Sequence, residues 1–581
     1  VFAPPIDISS VKYLKQSGLL AFTADVYPDC ALHKTRELQD AEKHKIDSAQ
    51  IYDNLWPRHW NEWMGLRKSN LFTVSLSRTD GDSGDSDASS VWKVGNETNL
   101  MHGLPVYHDP MIRWSIDDFT VDPAGARIAF VTRKPTDKMT STTNVDIYVV
   151  DTSGDNLQLL TGHVHGIAGG PAFSQDGKLL AWLQMETGGY EADINRIYVH
   201  NLDKNETTSI ARDWDLTPNS LLWSSDARTL FAVVGDKGHN VVYSIDVATG
   251  KRAKLTEHGT AGGLRRLSQD KLLLTHGNTN KCSNIHILDI SSKELKQLTD
   301  VNQDKLRDVY VGDAEDFWFT GARGDQVHGW LVKPHDFDPS KKYPVAYLVH
   351  GGPQQANLHT FSYAQWNPNM YASAGFIAVQ VNFHGSTTYG QNFTDSIRMQ
   401  WGGYPYVDLM KGLDYLIKHY DFVDKDRMVA LGASYGGYMM NWFNGHTTRF
   451  KALVNHDGMF SAPMFWYSTE ELWFPEHDFN GVPYKRSDRA MYEKWNPERF
   501  ADQFQTPTLF IQGEKDFRLT VDNSISPFTL LRHKGVAARL MYFPDEDHWT
   551  NHIGNSVRWY TEVLRWISEY TNNTLPYKLE L

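Results

Sequence analysis

One serine of this sequence stands where a catalytic nucleophile is expected. Residues 432–437 read Gly-Ala-Ser-Tyr-Gly-Gly, the pattern G-x-S-x-G-G, and they lie between the apolar stretch RMVAL and a helical stretch. Such a strand–turn–helix junction holds the serine in a strained backbone conformation that directs its hydroxyl out of the sheet. Small flanking residues let the strand and the helix approach each other. The pattern therefore predicts Ser434 as the nucleophile of an acyl-transfer reaction.

A serine nucleophile needs a histidine base and a carboxylate that orients it, in the chain order Ser, Asp or Glu, His for this junction. Asp516 and His548 follow two later apolar stretches, TPTLFIQG and ARLMYFP, in the loops where those predicted strands end. The carboxyl ends of parallel strands gather at one edge of a sheet, so the three residues are expected to converge there. Asp457, His533 and His552 are the rival acid and bases that this reasoning leaves open.

The tetrahedral intermediate of acyl transfer carries an oxyanion, which needs preorganised N–H donors. The amide of the residue after the nucleophile, Tyr435, is the expected first donor. The stretch YLVH leads directly into Gly351-Gly352-Pro353 after an earlier predicted strand, and Gly352 is the expected second donor. The predicted mechanism needs no metal and no cofactor.

The segments that would position these groups alternate between apolar strands and amphipathic helices. Leu409, Leu413 and Leu416 form the apolar stripe of one such helix. Near-continuous apolar strands with helices between them predict a mostly parallel sheet that is covered on both faces. A doubly wound α/β domain is therefore predicted for residues 314–581. Its strands are expected at 327–332, 345–349, 376–381, 428–431, 452–455, 508–511 and 539–543.

Residues 1–313 have a different pattern, with short strands and tight turns. A turn followed by an apolar strand recurs as DPAGARIAFV, SQDGKLLAWL, SSDARTLFAV and SQDKLLLTHG, with a weaker upstream copy, KQSGLLAFTA. A period of roughly 45–50 residues is typical of the four-stranded blades of a β-propeller. We count six probable units, and we predict a seven-bladed propeller. The charged residues 31–50 are expected to form a helix or a long loop, and residues 77–90 a solvated loop.

The composition excludes several classes of protein. There are 57 Lys and Arg against 70 Asp and Glu, a net charge of −13, and this balance without basic runs excludes a nucleic-acid partner. The apolar runs are far shorter than the ~18 residues of a membrane span. The 19 Trp, 27 Tyr and 27 Phe predict large packed cores. Cys30 and Cys282 are too few and too far apart for a zinc cluster or a disulfide framework.

The phrases HGGP, GASYGGY, GEKDFR and DEDHW, in this order, resemble the prolyl oligopeptidase family of serine peptidases. The resemblance covers nearly the whole chain and implies a β-propeller joined to an α/β-hydrolase. Within the family, GASYGGYMMNW, HDGMF, TPTLFIQGEKDFRL, FPDEDHW and the upstream RHWNEW are most similar to a group of secreted dipeptidyl peptidases. The N-terminal region is shorter than the family's, which leaves the first blade in doubt.

This resemblance implies that the protein removes dipeptides from the N-termini of peptides. Such an enzyme must hold a free ammonium group, which requires carboxylates that face the cleft. Glu191, with Glu186 nearby in METGGYEAD, is the expected acceptor, and the family pattern places Arg518 in the substrate cleft. An acylaminoacyl peptidase or oligopeptidase with the same triad, a carboxylesterase, and a binding protein with an inert hydrolase domain are the alternatives.

The same resemblance predicts an extracellular location. Four Asn-x-Ser/Thr sequons permit glycosylation, at Asn96, Asn205, Asn392 and Asn572. Peptides are the expected partners, with no nucleic acid and no membrane. The oligomeric state stays open, a homodimer included.

Overall fold

The structure is a computed structural model, which describes residues 3–53, 55, 58–79, 91–104, 118–133, 139–362 and 365–578. Short strands dominate its first half. In chain order they are β1 (Ser9–Leu14), β2 (Leu19–Val26), β3 (Arg58–His59), β4 (Glu62–Trp63), β5 (Lys68–Thr79), β6 (Val91–Asn99), β7 (Phe119–Val121), β8 (Arg127–Thr132), β9 (Asp146–Asp151), β10 (Gln158–Leu159), β11 (Ala168–Phe173), β12 (Leu179–Gln184), β13 (Arg196–Asn201), β14 (Glu206–Ile210), β15 (Pro218–Trp223), β16 (Thr229–Asp236), β17 (His239–Asp246), β18 (Arg252–Lys254), β19 (Thr260–Arg266), β20 (Lys271–Asn278), β21 (Lys281–Asp289) and β22 (Leu295–Gln297). The helices of this half are α1 (Leu32–Glu42) and α2 (Gln303–Leu306), with a 3₁₀ turn at Met139–Ser141.

These strands form a succession of four-stranded antiparallel sheets, as in the blades of a propeller. The first two sheets have the orders β1-β2-β5-β6 and β10-β9-β8-β7. The next three contain β11 to β14, β15 to β18 and β19 to β22, and the last two of them also meet through one parallel pair, Asn240 with Thr260. Strands β3 and β4 pair with each other as a short hairpin that is inserted between β2 and β5.

Each sheet packs against the next through its own apolar cluster. Leu14 and Leu71 of the first sheet pack with Phe119 and Phe130 of the second. Three further clusters join the second sheet to the third, the third to the fourth and the fourth to the fifth. The hydrophobic effect therefore stabilises this half mainly at the seams between neighbouring sheets.

The recurring phrase of the sequence marks the turn between the first two strands of each sheet. Its turn residues Gly18, Gly125, Gly177 and Ala227 have φ angles between 57° and 70°, a region that favours glycine. The five copies correspond to the five sheets of the described residues, so seven blades are not confirmed. Helix α1, the β3–β4 hairpin and the long strands β5 and β6 occupy much of the interval left for a sixth unit. Residues 31–50 thus contain a helix, and the loop predicted at 77–90 lies largely outside the described residues.

The second half alternates strands and helices. Its strands are β23 (Glu315–Thr320), β24 (Gln326–Val332), β25 (Tyr343–Val349), β26 (Ile377–Asn382), β27 (Val423–Ala433), β28 (Leu453–His456), β29 (Thr508–Gly513) and β30 (Ala538–Phe543). Its helices are α3 (Pro368–Ser373), α4 (Gln391–Asp395), α5 (Tyr404–His419), α6 (Tyr435–His446), α7 (Ala462–Ser468), α8 (Trp473–Asp478), α9 (Arg486–Lys494), α10 (Asp522–His533) and α11 (Ile553–Thr571), with 3₁₀ turns at Ala322–Gly324 and Pro497–Gln503.

The eight strands form one sheet in the order β23-β24-β26-β25-β27-β28-β29-β30. The six strands β25 to β30 pair in parallel, while β23 and β24 are antiparallel strands at one edge. All seven predicted strands are present, and β23 is an eighth. Leu409 and Leu413 of α5 are buried on one face of the sheet, while Tyr371 of α3 and Trp559 of α11 are buried on the other. The sheet is therefore covered on both faces, as its apolar strands predict.

Two further features concern the whole chain. Within the ranges that the structure describes, no helix has the length and apolar character required to cross a membrane. Cys30 is half-buried and Cys282 is buried, and both are free thiols.

Candidate active site

Ser434 occupies the turn between β27 and α6. Its φ of 57° and ψ of −118° are uncommon for a residue with a side chain. A Cβ added to Gly436 would lie 2.1 Å from the carbonyl oxygen of Val349, and one added to Gly432 would lie 2.5 Å from the carbonyl carbon of Gly436. Only glycines therefore permit this close approach of strand and helix, which places the half-buried Ser434 at the carboxyl edge of the sheet.

Asp516 and His548 meet at the same edge, in the loops after β29 and β30. The Nδ1 atom of His548 lies 2.7 Å from Oδ2 of Asp516, and both side chains are buried. The other carboxylate oxygen, Oδ1, accepts the backbone N–H groups of Arg518 at 3.0 Å and Leu519 at 2.9 Å. The Asp516 carboxylate is therefore fixed from both sides, and it can hold the imidazole in one orientation.

A second carboxylate faces the same imidazole. Asp457 follows β28, and its Oδ2 atom lies 3.5 Å from Nδ1 of His548. Burial lowers the pKa of His548, but the negative charges of Asp457 and Asp516 outweigh this effect and raise the pKa above its ordinary value. Burial in turn raises the pKa of Asp457. The site therefore stabilises an imidazolium, which is the form that His548 takes after it accepts a proton.

The two rival histidines lie elsewhere. His533 is an exposed residue in the last turn of α10. The His552 side chain is 62% exposed, and its Nδ1 atom lies 3.0 Å from Oε1 of Glu546. The third rival, Asp457, joins the Asp516–His548 pair and does not replace Asp516.

The glycines after β25 run beside the nucleophile. A Cβ added to Gly351 would lie 3.2 Å from Cβ of Ser434 and 3.8 Å from its Oγ. Gly352 has a φ of 110°, which other residues rarely adopt. Tyr435 is the first residue of α6, where backbone N–H groups have no acceptor within the helix. The two expected oxyanion donors, Gly352 and Tyr435, line the same cavity as Ser434, and so does Gly351.

This cavity has a volume of about 660 Å³ and is lined by both halves of the chain. Ser434 and His548 reach it from the second half, while Trp60, Glu191 and Thr279 reach it from the first. The apolar part of its wall includes Trp401, Tyr438, Met459, Phe465, Phe474 and Leu519. A cavity of this size, lined by residues from both halves of the chain, has room for a short peptide.

Glu191 lies on the loop between β12 and β13, which packs against the second half. The hydroxyl of the buried Tyr190 donates to Oδ1 of Asp395 at 2.7 Å, and its ring stacks on that of His477. Trp473 Nε1 lies 3.4 Å from Oε2 of Glu191. These contacts hold the half-buried Glu191 carboxylate at the cavity wall.

Glu186, on the same loop, is directed elsewhere. Its two oxygens lie 2.8 and 3.0 Å from the guanidinium of Arg212, and one of them accepts the hydroxyl of Tyr198 at 2.5 Å. The hydrogen bonds from Arg212 lower the pKa of Glu186, although burial opposes this change. Glu186 is not among the residues that line the cavity in the described part of the chain, so the structure separates it from Glu191.

Arg518 forms part of the cavity wall, but its charge is already paired. Its Nε atom lies 3.3 Å from Oε1 of Glu470, and Nη2 donates to Oε2 of Glu471. Its guanidinium carbon lies 4.4 Å from the centroid of the Trp60 ring and 5.5 Å from that of Phe474. Burial lowers the pKa of Arg518, but the two glutamates outweigh burial and raise it.

The β3–β4 hairpin is a part of the site that sequence reasoning missed. The carbonyl of Trp60 accepts the N–H of Phe517 at 2.9 Å, and Asn61 Nδ2 donates to Oδ2 of Asp547 at 2.6 Å. Phe517 and Asp547 are the immediate neighbours of the proposed acid and base. The phrase RHWNEW resembles the family, but it does not by itself indicate a role in the site. No pattern of spacing indicates these contacts, because Asn61 and Asp547 are 486 positions apart.

The four sequons lie on the surface. Asn96 is on β6, Asn205 is at a turn, Asn392 is on α4 and Asn572 follows α11, and each of these side chains is exposed. Their positions permit a glycan at every one of them.

Comparisons with known proteins show what this chain is similar to. The model of the prolyl oligopeptidase family matches residues 361–574. Dipeptidyl-peptidase 5 of Schizosaccharomyces pombe is 36% identical over 537 residues, which are 90% of this chain and 76% of the relative. Dipeptidyl-peptidase 5 of Aspergillus fumigatus is 34% identical over 591 residues, 98% of this chain and 80% of the relative. An acylaminoacyl peptidase structure from Pyrococcus horikoshii superimposes with a TM-score of 0.75 at 18% identity and covers 99% of this chain and 83% of that one.

Proposed function

This chain belongs to the prolyl oligopeptidase family of serine peptidases, and from that premise we propose that it is a serine dipeptidyl peptidase. It hydrolyses peptide bonds and releases dipeptides from the N-termini of short peptides. The observation that carries the proposal is one cavity that is lined by a serine on a strained turn, by the histidine of an Asp–His pair and by a carboxylate suited to an amino terminus.

We assign the chemical steps to Ser434, His548 and Asp516. The Ser434 hydroxyl attacks the carbonyl carbon after the second substrate residue, and its proton passes to Nε2 of His548. Asp516 accepts the Nδ1–H group at 2.7 Å, which leaves a lone pair on Nε2 for that proton. The amides of Tyr435 and Gly352 stabilise the oxyanion that forms.

The intermediate then collapses. The C–N bond breaks, and the proton on Nε2 moves to the leaving amine, which departs with the rest of the peptide. The dipeptide remains esterified to Ser434. A water molecule gives a proton to the same imidazole and attacks the ester, the serine recovers its proton, and the dipeptide is released. No step requires a metal or a cofactor.

The charges of the cavity support an amino-terminal ammonium as the recognised group. Among the lining residues that the structure describes, Glu191 and Glu471 carry carboxylates, and Glu471 is paired with Arg518. Burial lowers the pKa of His350 to about 4 and that of His456 to about 3, so these two of the three lining histidines are neutral near pH 7. Glu191 is the acceptor for the ammonium, and Glu186 has no part in binding it.

The competing function is an acylaminoacyl peptidase or oligopeptidase, which uses the same triad without an ammonium acceptor. A panel of dipeptide reporters with free and with acetylated amino termini separates the two functions. The proposal expects cleavage of the free reporters and little cleavage of the acetylated ones. The opposite preference would overturn it, and hydrolysis of esters without hydrolysis of amides would indicate a carboxylesterase.

The nucleophile has its own test. A fluorophosphonate probe should label Ser434, and the variant Ser434→Ala should lose both the label and the activity. A label on another residue, or an active-site titration without a burst, would contradict the assignment and indicate an inert hydrolase domain.

The proposed division is a β-propeller domain at residues 1–313 and an α/β-hydrolase domain at residues 314–581. Five four-stranded sheets are described, and seven blades stay a prediction. The propeller covers the carboxyl edge of the hydrolase sheet, so it restricts entry to short or unfolded peptides.

Secretion of the protein stays a prediction, and so does glycosylation at the four exposed sequons. Measurement of the intact mass before and after glycosidase treatment checks for the glycans.

A further inference from the structure

Asp457 occupies an unusual place at the end of β28. Its φ of 41° lies in the left-handed region, which a residue with a side chain adopts at a cost in energy. The side chain is fully buried. Its Oδ1 atom accepts the backbone N–H of Ser434 at 2.9 Å, and its own N–H donates to the carbonyl of Ile511 at 2.9 Å. One oxygen of this carboxylate is therefore attached to the backbone of the proposed nucleophile.

The other oxygen of Asp457 faces two histidines. Oδ2 lies 3.5 Å from Nδ1 of His548 and 3.3 Å from Nε2 of His456. Within the described residues it has no hydrogen-bond partner. A buried carboxylate oxygen without a hydrogen bond is costly unless a positive charge lies close by. The imidazolium of His548 is the cation that the proposed reaction creates at this distance.

On the basis of the proposed function, we infer that Asp457 is a positioning residue that joins the Ser434 amide to His548 and serves as a second carboxylate for the imidazolium. Asp516 makes the close hydrogen bond and sets the tautomer of His548. Asp457 adds a negative charge behind that bond, and it holds the turn on which the nucleophile lies. The nucleophile and the base are thereby coupled through one side chain.

The charged and titratable groups that face Asp457 and His548 come from three segments: the end of β28 and the loops after β29 and β30. Asp516 follows β29, His456 ends β28, and Asp547 and His548 follow β30, while Arg518 adds an opposing positive charge at His548. His456 stays neutral, because burial and the charge of His548 lower its pKa to about 3. Burial raises the pKa of Asp457 to about 7, so Asp457 and His548 titrate together as one interacting pair.

The substitution Asp457→Asn tests the inference, because an amide oxygen can still accept the Ser434 N–H while the charge is lost. The pKa of His548 should then fall, so that neutral imidazole persists to lower pH. The acid limb of kcat/KM for a dipeptide reporter, and of the rate of fluorophosphonate labelling, should move to lower pH by about one unit. The plateau rate should fall several-fold, because the imidazolium is less stabilised.

Asp408→Asn is the matched control. Asp408 is also fully buried and also pairs with a histidine, His384 at 2.6 Å, but it does not line the cavity. Its substitution should lower thermal stability and leave the acid limb in place. Equal shifts in both variants would assign the effect to general destabilisation and would overturn the inference.

The remaining outcomes are also decisive. A folded Asp457→Asn protein whose acid limb coincides with that of the wild type would overturn the inference alone. Wild-type protein that fluorophosphonate does not label at Ser434 would overturn the proposed function and this inference with it. Asp457→Ser, whose hydroxyl is smaller and uncharged, is the second variant. If neither variant folds, Asp457 is required by the fold and the inference is wrong.

Discussion

The side-chain amide of Asn61 donates to Oδ2 of Asp547 at 2.6 Å and so attaches the first half of the chain to the loop that carries His548. The adjacent carbonyl, that of Trp60, accepts the N–H of Phe517 and so contacts the loop that carries Asp516. One short hairpin therefore contacts both loops at positions next to the acid and the base. The two loops that carry the Asp–His pair are therefore contacted by residues from outside the sheet.

The hairpin contact predicts an effect on turnover. Asn61→Ala removes the donor to Asp547, so the His548 loop loses one of its supports, and a small displacement of a catalytic group costs about 10- to 100-fold in rate. We expect kcat to fall by about that factor with little change in KM, as measured with a dipeptide reporter. Glu62→Ala, an exposed change on the same hairpin, is the control. An unchanged kcat in Asn61→Ala would show that the hairpin has no part in positioning the base.

The hydrogen bonds of Asp516 predict the result of Asp516→Asn. Because Oδ1 accepts the N–H groups of Arg518 and Leu519, the amide oxygen of asparagine should keep that position and turn its NH₂ group toward His548. Nδ1 of His548 must then be an acceptor, so Nε2 carries the proton and cannot act as the base. We expect kcat to fall by about 10⁴-fold in a folded protein. Retention of more than about a tenth of the wild-type rate would exclude Asp516 as the orienting acid.

The position of Glu191 predicts a change in specificity. Glu191→Gln keeps the size of the side chain and removes the charge that pairs with the substrate ammonium. We expect kcat/KM for free dipeptide reporters to fall by about 10- to 100-fold, while the slow cleavage of acetylated reporters stays the same. Glu186→Gln, five residues earlier, should leave both rates unchanged, since Glu186 pairs with Arg212 outside the cavity. Equal losses in the two variants would contradict the assignment.

A buried histidine away from the cavity predicts how stability depends on pH. Nδ1 of His384 lies 2.6 Å from Asp408 and Nε2 lies 3.0 Å from Asp325. Burial lowers the pKa of His384, but the two carboxylates outweigh it and raise the pKa above its ordinary value. The stabilisation from this charged histidine is therefore complete below about pH 6.5 and is lost as the pH rises through the raised pKa.

His384→Gln tests that dependence. At pH 6 the variant should be less stable by about 2 to 4 kcal/mol, because it leaves the buried Asp408 without its cation. The difference between wild type and variant should shrink as the pH rises to 9. Thermal unfolding of both proteins at pH 6, 7.5 and 9 measures this, and a difference that stays constant would show that folding does not raise the pKa of His384.

The local sequence was sufficient to predict those turns and strands whose formation depends on neighbouring residues in the chain. The G-x-S-x-G-G pattern around Ser434 predicts a turn that only small residues allow, and the apolar runs predict seven strands of the sheet. The loops after two of those strands carry Asp516 and His548, which lie 2.7 Å apart in the structure. These predictions succeed because spacing along a strand or a helix directly sets which side chains share a face.

The tertiary structure decided what depends on distant segments. Long-range packing determines the place of the β3–β4 hairpin and the number of sheets in the first half. It also determines two contacts, that of Asp457 with His548 and that of Glu186 with Arg212. Repeats of turn and strand predict that blades exist. They do not predict which residues the irregular insertion between β2 and β5 contacts. A carboxylate has the same local preferences whether it binds a substrate, supports a base or pairs with an arginine. Only the fold brings it to one of these partners, because the energy of each contact depends on burial and distance.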